Sequence, residues 1–121
     1  MNGSIPKTAA MLDSRPRPDL VPAELLDRLV RYFDPQAVIL FGSRARGDGR
    51  ADSDYDLLVV LDDTAPPEKR TLRAGREARE GWHGAADIIP CPRSWFDDKR
   101  DVVNSLAWIA DTEGVVLYGG T

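Results

Sequence analysis

Phe41-Gly42-Ser43-Arg44-Ala45-Arg46-Gly47, followed after a further stretch by Asp54-Tyr55-Asp56-Leu57, is the part of this chain on which its reading turns. Ala37 to Phe41 is a short apolar run, which suits a buried strand. Tyr55 to Leu61 is a second. Residues 42–53 between them are rich in glycine, arginine and aspartate, the composition of a loop with room for one helical turn. Side chains alternate across a strand, so Asp54 and Asp56 point the same way. Two carboxylates on one face repel each other unless positive charge sits between them. A hard divalent cation with oxygen ligands is the natural partner, and magnesium is commonly held by one or two carboxylates plus substrate phosphates. The plainer reading is a solvated strand end. Aspartate is depleted in strands, however, and two at period two ahead of Leu57-Leu58-Val59-Val60 fit that reading poorly.

The loop adds to the argument. Gly42 after a buried strand permits a tight turn and close approach of the backbone. Ser43 is expected to cap a following helical turn and to offer a hydroxyl, and backbone N–H groups at such a start suit phosphate. Arg44 and Arg46 supply charged donors for phosphate oxygens. A β-turn with solvated arginines is the alternative. Each signal alone is weak; strand, Gly-Ser, basic loop, paired aspartates and strand in succession are specific.

Working outward, Leu25, Leu26, Leu29, Val30 and Phe33 recur at helical spacing, with Pro22 expected at the first helical position and Asp34-Pro35 at the end. Downstream, Glu68 to Glu80 reads as a weakly amphipathic helix with a solvated face of Arg73, Arg76 and Arg79, stopped by Gly81. Arg73 and Glu77, like Arg76 and Glu80, fall four apart. Residues 85–89 form a third short strand ended by Pro90. Ser94 with Asp97 resembles a capping box, and one helix follows with Val102, Val103, Leu106, Ile109 and Ala110 on its later apolar face. Gly114 ends it, and residues 115–118 are a last strand. The order α-β-loop-β-α-β-α-β is that of an α/β layer fold. Residues 1–19, with Gly3, Pro6, Pro16 and Pro18, are expected to be a flexible leader, and 20–121 the folded domain.

The chain has 121 residues, 42% hydrophobic and 30% charged, which suits one globular domain. The net charge of −4 argues against a nucleic-acid binder held by bulk positive charge, and no stable nucleic-acid binding is expected. No apolar run approaches membrane-spanning length and no signal-peptide core is present; the expectation is a cytoplasmic protein without membrane contact. The single cysteine, Cys91, makes no intrachain disulfide.

Phe41-Gly42-Ser43, the spacer and Asp54-Tyr55-Asp56-Leu57 resemble the signature of the DNA-polymerase-β-like nucleotidyltransferase superfamily. The run from Gly42 to Val60, with Arg44-Ala45-Arg46-Gly47 and Ser53-Asp54, is similar to the minimal nucleotidyltransferases, many of which are antitoxins paired with a HEPN ribonuclease toxin. The resemblance spans roughly residues 22–118 by element order. It implies a short mixed sheet flanked by helices, a metal-dependent transfer with two magnesium ions, and ATP as donor. It also implies a third carboxylate on a later strand, for which Asp87 is the candidate; Asp62 and Asp63 are weaker, at the far end of the second strand. Asp54 and Asp56 would hold both metals, and Asp87 the metal beside the acceptor hydroxyl. Gly42 and Ser43 would cradle the triphosphate, with Arg44 or Arg46 on the departing pyrophosphate. Two such metals stand about 3.5–4 Å apart.

Other residues carry less. His83, the only histidine, reads as a loop or packing residue, and Cys91 as a small buried one. Trp95-Phe96 could form an aromatic patch suited to a partner. Three functions remain: transfer of AMP to a partner protein, which the resemblance identifies as a HEPN toxin modified on tyrosine; transfer to a small molecule of the aminoglycoside type; and a non-catalytic toxin-binding module. Only three residues follow Tyr118, so the acceptor is expected to bring its own surface. Labelling of a partner with ATP separates the first from the third, and labelling of free small acceptors favours the second.

Overall fold

A computed structural model describes residues 16–120. Most of the expected leader lies outside the described residues. Within it, Pro18–Leu20 forms a 3₁₀ turn, and the Arg17 amide donates to the Val116 carbonyl at 2.7 Å.

The first helix, α1, spans Ala23–Phe33, with Pro22 as N-cap and not at the first helical position. It ends at Asp34, whose φ of 47° turns the chain into the left-handed region ahead of Pro35. Strand β1, Ala37–Phe41, follows and is buried throughout. Ser43–Arg46 makes the single helical turn α2. Tyr55–Leu61 is β2, and a 3₁₀ turn at Pro67–Arg70 precedes α3, Leu72–Ala78. The expected long helix over 68–80 is therefore two pieces. Thr71 divides them, because its hydroxyl accepts from the Ala74 amide at 3.0 Å and caps α3.

Strand β3 runs Ala86–Pro92, through Pro90 and not ending at it. The sheet order is β3-β2-β1-β4, so β3 is an edge strand, where a missing N–H costs no ladder bond on the open side. The single helix expected from Ser94 onward is also two: α4, Arg93–Lys99, and α5, Leu106–Glu113. Ser94 is not the cap of α4; its amide donates to Asp63 Oδ1 at 2.9 Å. Asn104 at φ 70° reverses the chain, and Ser105 caps α5 through the Trp108 amide. Val102 and Val103 consequently lie in the exposed connection and not on a buried face. Val115–Gly119 is β4.

The sheet is mixed. β1 is antiparallel to β2 and β4, and β2 is parallel to β3. Alternation divides the strands between two cores. Val38, Leu40, Leu57, Val59 and Leu61 pack with α1 and α3 on one face. Ala37, Ile39, Phe41, Leu58 and Val60 pack with Phe96 of α4 and Ala107 and Ala110 of α5 on the other. Trp95 packs partly buried against this second core and Phe96 is fully buried, so they form no exposed aromatic patch. No helix among the described residues is long and apolar enough to cross a membrane.

Candidate active site

The parity that buries Leu58 and Val60 sets Asp56 on the α4–α5 face, just where β2 emerges from its apolar stretch. Parallel pairing then decides its neighbour: Asp56 is in register with Asp87 of β3 on one side and with Phe41 of β1 on the other. Asp54 precedes β2 on the same parity and is exposed. All three carboxylates thus stand at one end of the sheet. Asp62 and Asp63 lie at the other end, where Asp62 accepts from Thr64 and Gln36 and Asp63 from the Ser94 amide.

Asp56 feels this crowding. Burial raises its pKa above the usual carboxylate value, the charges of Asp87 and then Asp54 raise it further, and Arg46 opposes them. Arg46 cannot give its charge to Asp56 alone, because it also pairs with Asp48 at 3.3 Å and Glu113 at 3.5 Å. Among the described residues no group of three or more His, Cys, Asp or Glu side chains, Asp54, Asp56 and Asp87 included, is placed so that it could by itself hold a metal ion. The donor set is nonetheless all oxygen and short of positive charge, which fits a hard divalent cation that completes its shell with substrate oxygens.

Gly42 sits directly against this centre. Its φ is 80° and ψ −160°, a region essentially open to glycine only. A Cβ added there would overlap Asp56 Oδ2 and lie 3.2 Å from its Cγ. Gly42, and not Ser43, is the N-cap of α2, and Ser43 is the first helical residue. The Gly42 carbonyl accepts from the Ala45 and Arg46 amides, which closes the turn.

Arg44 faces the inside of its own loop. Its Nε donates to the Ser53 carbonyl at 2.8 Å and an Nη to the Ala51 carbonyl at 2.7 Å. The guanidinium also stacks over the Tyr55 ring, 4.1 Å from the centroid. Both loop arginines therefore have protein partners, and Arg44 ties α2 to the approach of β2.

A cleft of about 450 Å³ opens beside the carboxylates. Asp56 and Asp87 line it, with Leu106 of α5 and, from α3, Leu72, Gly75 and Arg76. Arg79, just past α3, lines it too. Gly75 makes this approach possible: a Cβ there would overlap the Ile88 carbonyl oxygen, so only glycine lets α3 lie so close to β3. Sequence reasoning missed Arg76 and Arg79 as cleft residues. The signal was present, since 72, 75, 76 and 79 share one helical face. Arg73 pairs with Glu77 at 3.1 Å as the spacing suggests. Glu80 lies beyond the end of α3, and no Arg76–Glu80 pair forms among the described residues.

His83 is exposed in the turn before β3. Cys91 is buried, and burial pushes its thiol up to about 12, which removes it from nucleophilic chemistry.

A nucleotidyltransferase-domain family model matches residues 22–109. Comparison with curated proteins finds no match. A crystal structure of a toxin–antitoxin complex with AMP-PNP contains a chain of similar fold, with a TM-score of 0.56 and 21% identity, covering 84% of this chain and 76% of that one. The four-stranded mixed sheet flanked by helices is a polymerase-β-like nucleotidyltransferase fold.

Proposed function

Because the chain belongs to the nucleotidyltransferase-domain family, we propose that it transfers AMP from ATP to a hydroxyl of a partner protein, a tyrosine of a HEPN-type ribonuclease toxin, and thereby acts as that toxin's antitoxin. The observation that carries the reading is the pairing of Asp56 with Asp87 across β2 and β3, with Gly42 pressed against Asp56. This layout supports a donor-site reading: a glycine turn suited to phosphates against Asp56, and an open cleft lined by Asp56 and Asp87.

Asp54, Asp56 and Asp87 would hold two magnesium ions, which when bound neutralise triphosphate charge and activate the acceptor oxygen. The turn at Gly42 and Ser43 lets backbone and hydroxyl donors approach the β- and γ-phosphates. Arg46 stands on this side of Asp56 and would meet the departing pyrophosphate. Arg44 supports the same site by keeping the 50–53 turn closed. The acceptor oxygen attacks the α-phosphorus, the bond to the bridging oxygen of pyrophosphate breaks, and the acceptor's proton passes to Asp87 or solvent. No covalent enzyme intermediate is required; positioning and charge neutralisation carry the step. The solved neighbour of similar fold is a toxin–antitoxin with a nucleotide analogue, which supports a toxin as the partner.

The test is co-expression with the candidate toxin, followed by intact mass. The toxin should gain AMP-sized increments with wild type and none with Asp87→Asn. Neutralisation by both proteins without a mass change would leave a contact inhibitor in place of an enzyme. Labelling of free small hydroxyl compounds in place of the toxin would favour a small-molecule transferase.

A further inference from the structure

Across the site the elements follow in order: Gly42 and Ser43 after β1, Asp54 just before β2 and Asp56 on it, Asp87 on edge strand β3, and then α3 closing over that strand. If the phosphates lie at the β1 side, as the proposed function has it, the acceptor enters at the β3 side. The wall it meets there is the α3 face. Leu72 is 61% exposed and lines the cleft together with Arg76, Leu106 and Asp87.

Arg76 differs from the arginines around it. Arg44 is spent on loop carbonyls and Arg46 on Asp48 and Glu113. Arg73 is paired with Glu77. Arg79 donates to the Gly84 carbonyl at 2.8 Å and leans over Trp82. Arg76 is exposed, lines the carboxylate cleft, and has no hydrogen bond or ion pair among the described residues. In a chain of net charge −4, an unengaged guanidinium beside two carboxylates is a fixed cation awaiting an anion.

We propose that Arg76 is a specificity-determining residue of the acceptor subsite: it pairs with an aspartate or glutamate adjacent to the acceptor hydroxyl in a protein segment whose apolar part rests on Leu72 and Leu106. The inference rests on the donor-site reading given above. The occupant is a protein segment because the rim supplied by Leu72 and Leu106 is aliphatic. The one aromatic that lines the cleft, Phe41, is 8% exposed and offers no open ring face for a base to stack on, and among the described residues no cation lining the cleft besides Arg76 is unengaged to follow a nucleic-acid backbone. The planar fork of arginine binds a carboxylate in two-point fashion, which fixes the segment's register against Asp87.

The test measures binding, separately from turnover. Fluorescein-labelled Glu-Glu-Tyr-Glu-Glu, Lys-Lys-Tyr-Lys-Lys and a short RNA oligonucleotide are titrated with wild-type protein, Arg76→Glu and Arg76→Lys, with magnesium and a non-hydrolysable ATP analogue present. Wild type should prefer the acidic peptide by about tenfold or more, and Arg76→Glu should abolish or invert that preference. Arg76→Lys should retain part of it. Affinity for the ATP analogue should stay within about twofold in both variants, and their melting curves should match wild type because the side chain is exposed. Equal or undetectable binding of the two peptides by wild type overturns the proposal. So does an Arg76-dependent preference for the RNA, or loss of ATP-analogue affinity with the peptide preference intact. Failure of the donor-site reading appears separately, as wild type that binds no ATP analogue with magnesium.

Discussion

Gly42→Ala tests the centre of this arrangement, because the glycine meets two demands that can be separated. The first is conformational. At φ 80° and ψ −160° the backbone lies where residues with a Cβ are strained, and holding one there costs about 1–3 kcal/mol. The second is steric. The added methyl would overlap Asp56 Oδ2 and sit 3.2 Å from Cγ and 3.4 Å from Cβ. Asp56 must give way, and a shift of about 1 Å in a positioned group can cost about a hundredfold in turnover. Gly47→Ala is the control. Its φ is 83°, and a new Cβ there meets nothing within 4 Å. It should bear the left-handed penalty alone, about 1–2 kcal/mol. Urea denaturation should therefore show both variants destabilised, Gly42→Ala the more, because it adds the overlap with Asp56 to the backbone penalty. Magnesium-dependent binding of a fluorescent ATP analogue should fall only in Gly42→Ala. Normal nucleotide binding in Gly42→Ala, or an equal loss in Gly47→Ala, would refute the assignment of Gly42 to the Asp56 site.

Asp56→Asn should abolish transfer while leaving the fold intact, since an amide is a poorer ligand for a hard dication. Its metal-free stability should also depend on pH in a set direction. Asp56 is raised above its ordinary value of 3.8 in the folded chain. The folded state thus favours the protonated acid, and that contribution is present in full below the ordinary value and lost as pH rises through the raised one. The mutant has no such loss. In chelator, its stability relative to wild type should therefore grow between acidic and neutral pH; a gap independent of pH would contradict the crowding at Asp56. Arg44→Ala and Arg46→Ala should fail differently. Removing Arg44 frees the Ala51 and Ser53 carbonyls and loses the stacking on Tyr55, so amide exchange in residues 50–55 should accelerate and nucleotide binding weaken by about 1–3 kcal/mol. Arg46→Ala should leave that exchange unchanged while weakening retention of pyrophosphate, read by product inhibition; equal exchange rates in both variants would show that Arg44 does not hold the turn.

Several features were settled along the chain. Apolar runs at residues 37–41 and 57–61 had to be buried strands, and period two set Asp54 and Asp56 on one side whatever lay around them. Gly42 after a strand announced a tight approach, because no other residue tolerates its backbone angles cheaply. Local patterns misled where a nearby tertiary contact outweighed them. Ser94 looked like a cap, but Asp63 from the end of β2 takes its amide. Pro90 looked like a strand end, but an edge position tolerates it. Residues 94–113 looked like one helix, but Asn104 and Ser105 turn the chain so that α5 packs on β1. What no window of sequence contains is the register of distant segments. That Asp87 stands beside Asp56 follows from parallel pairing of strands joined by a crossover. That Arg44 is inwardly engaged and Arg76 is not depends on which carbonyls and which cleft each side chain finds after folding. Periodicity orders residues on a face; only packing, here the approach of Gly75 to the Ile88 carbonyl, decides what that face looks upon.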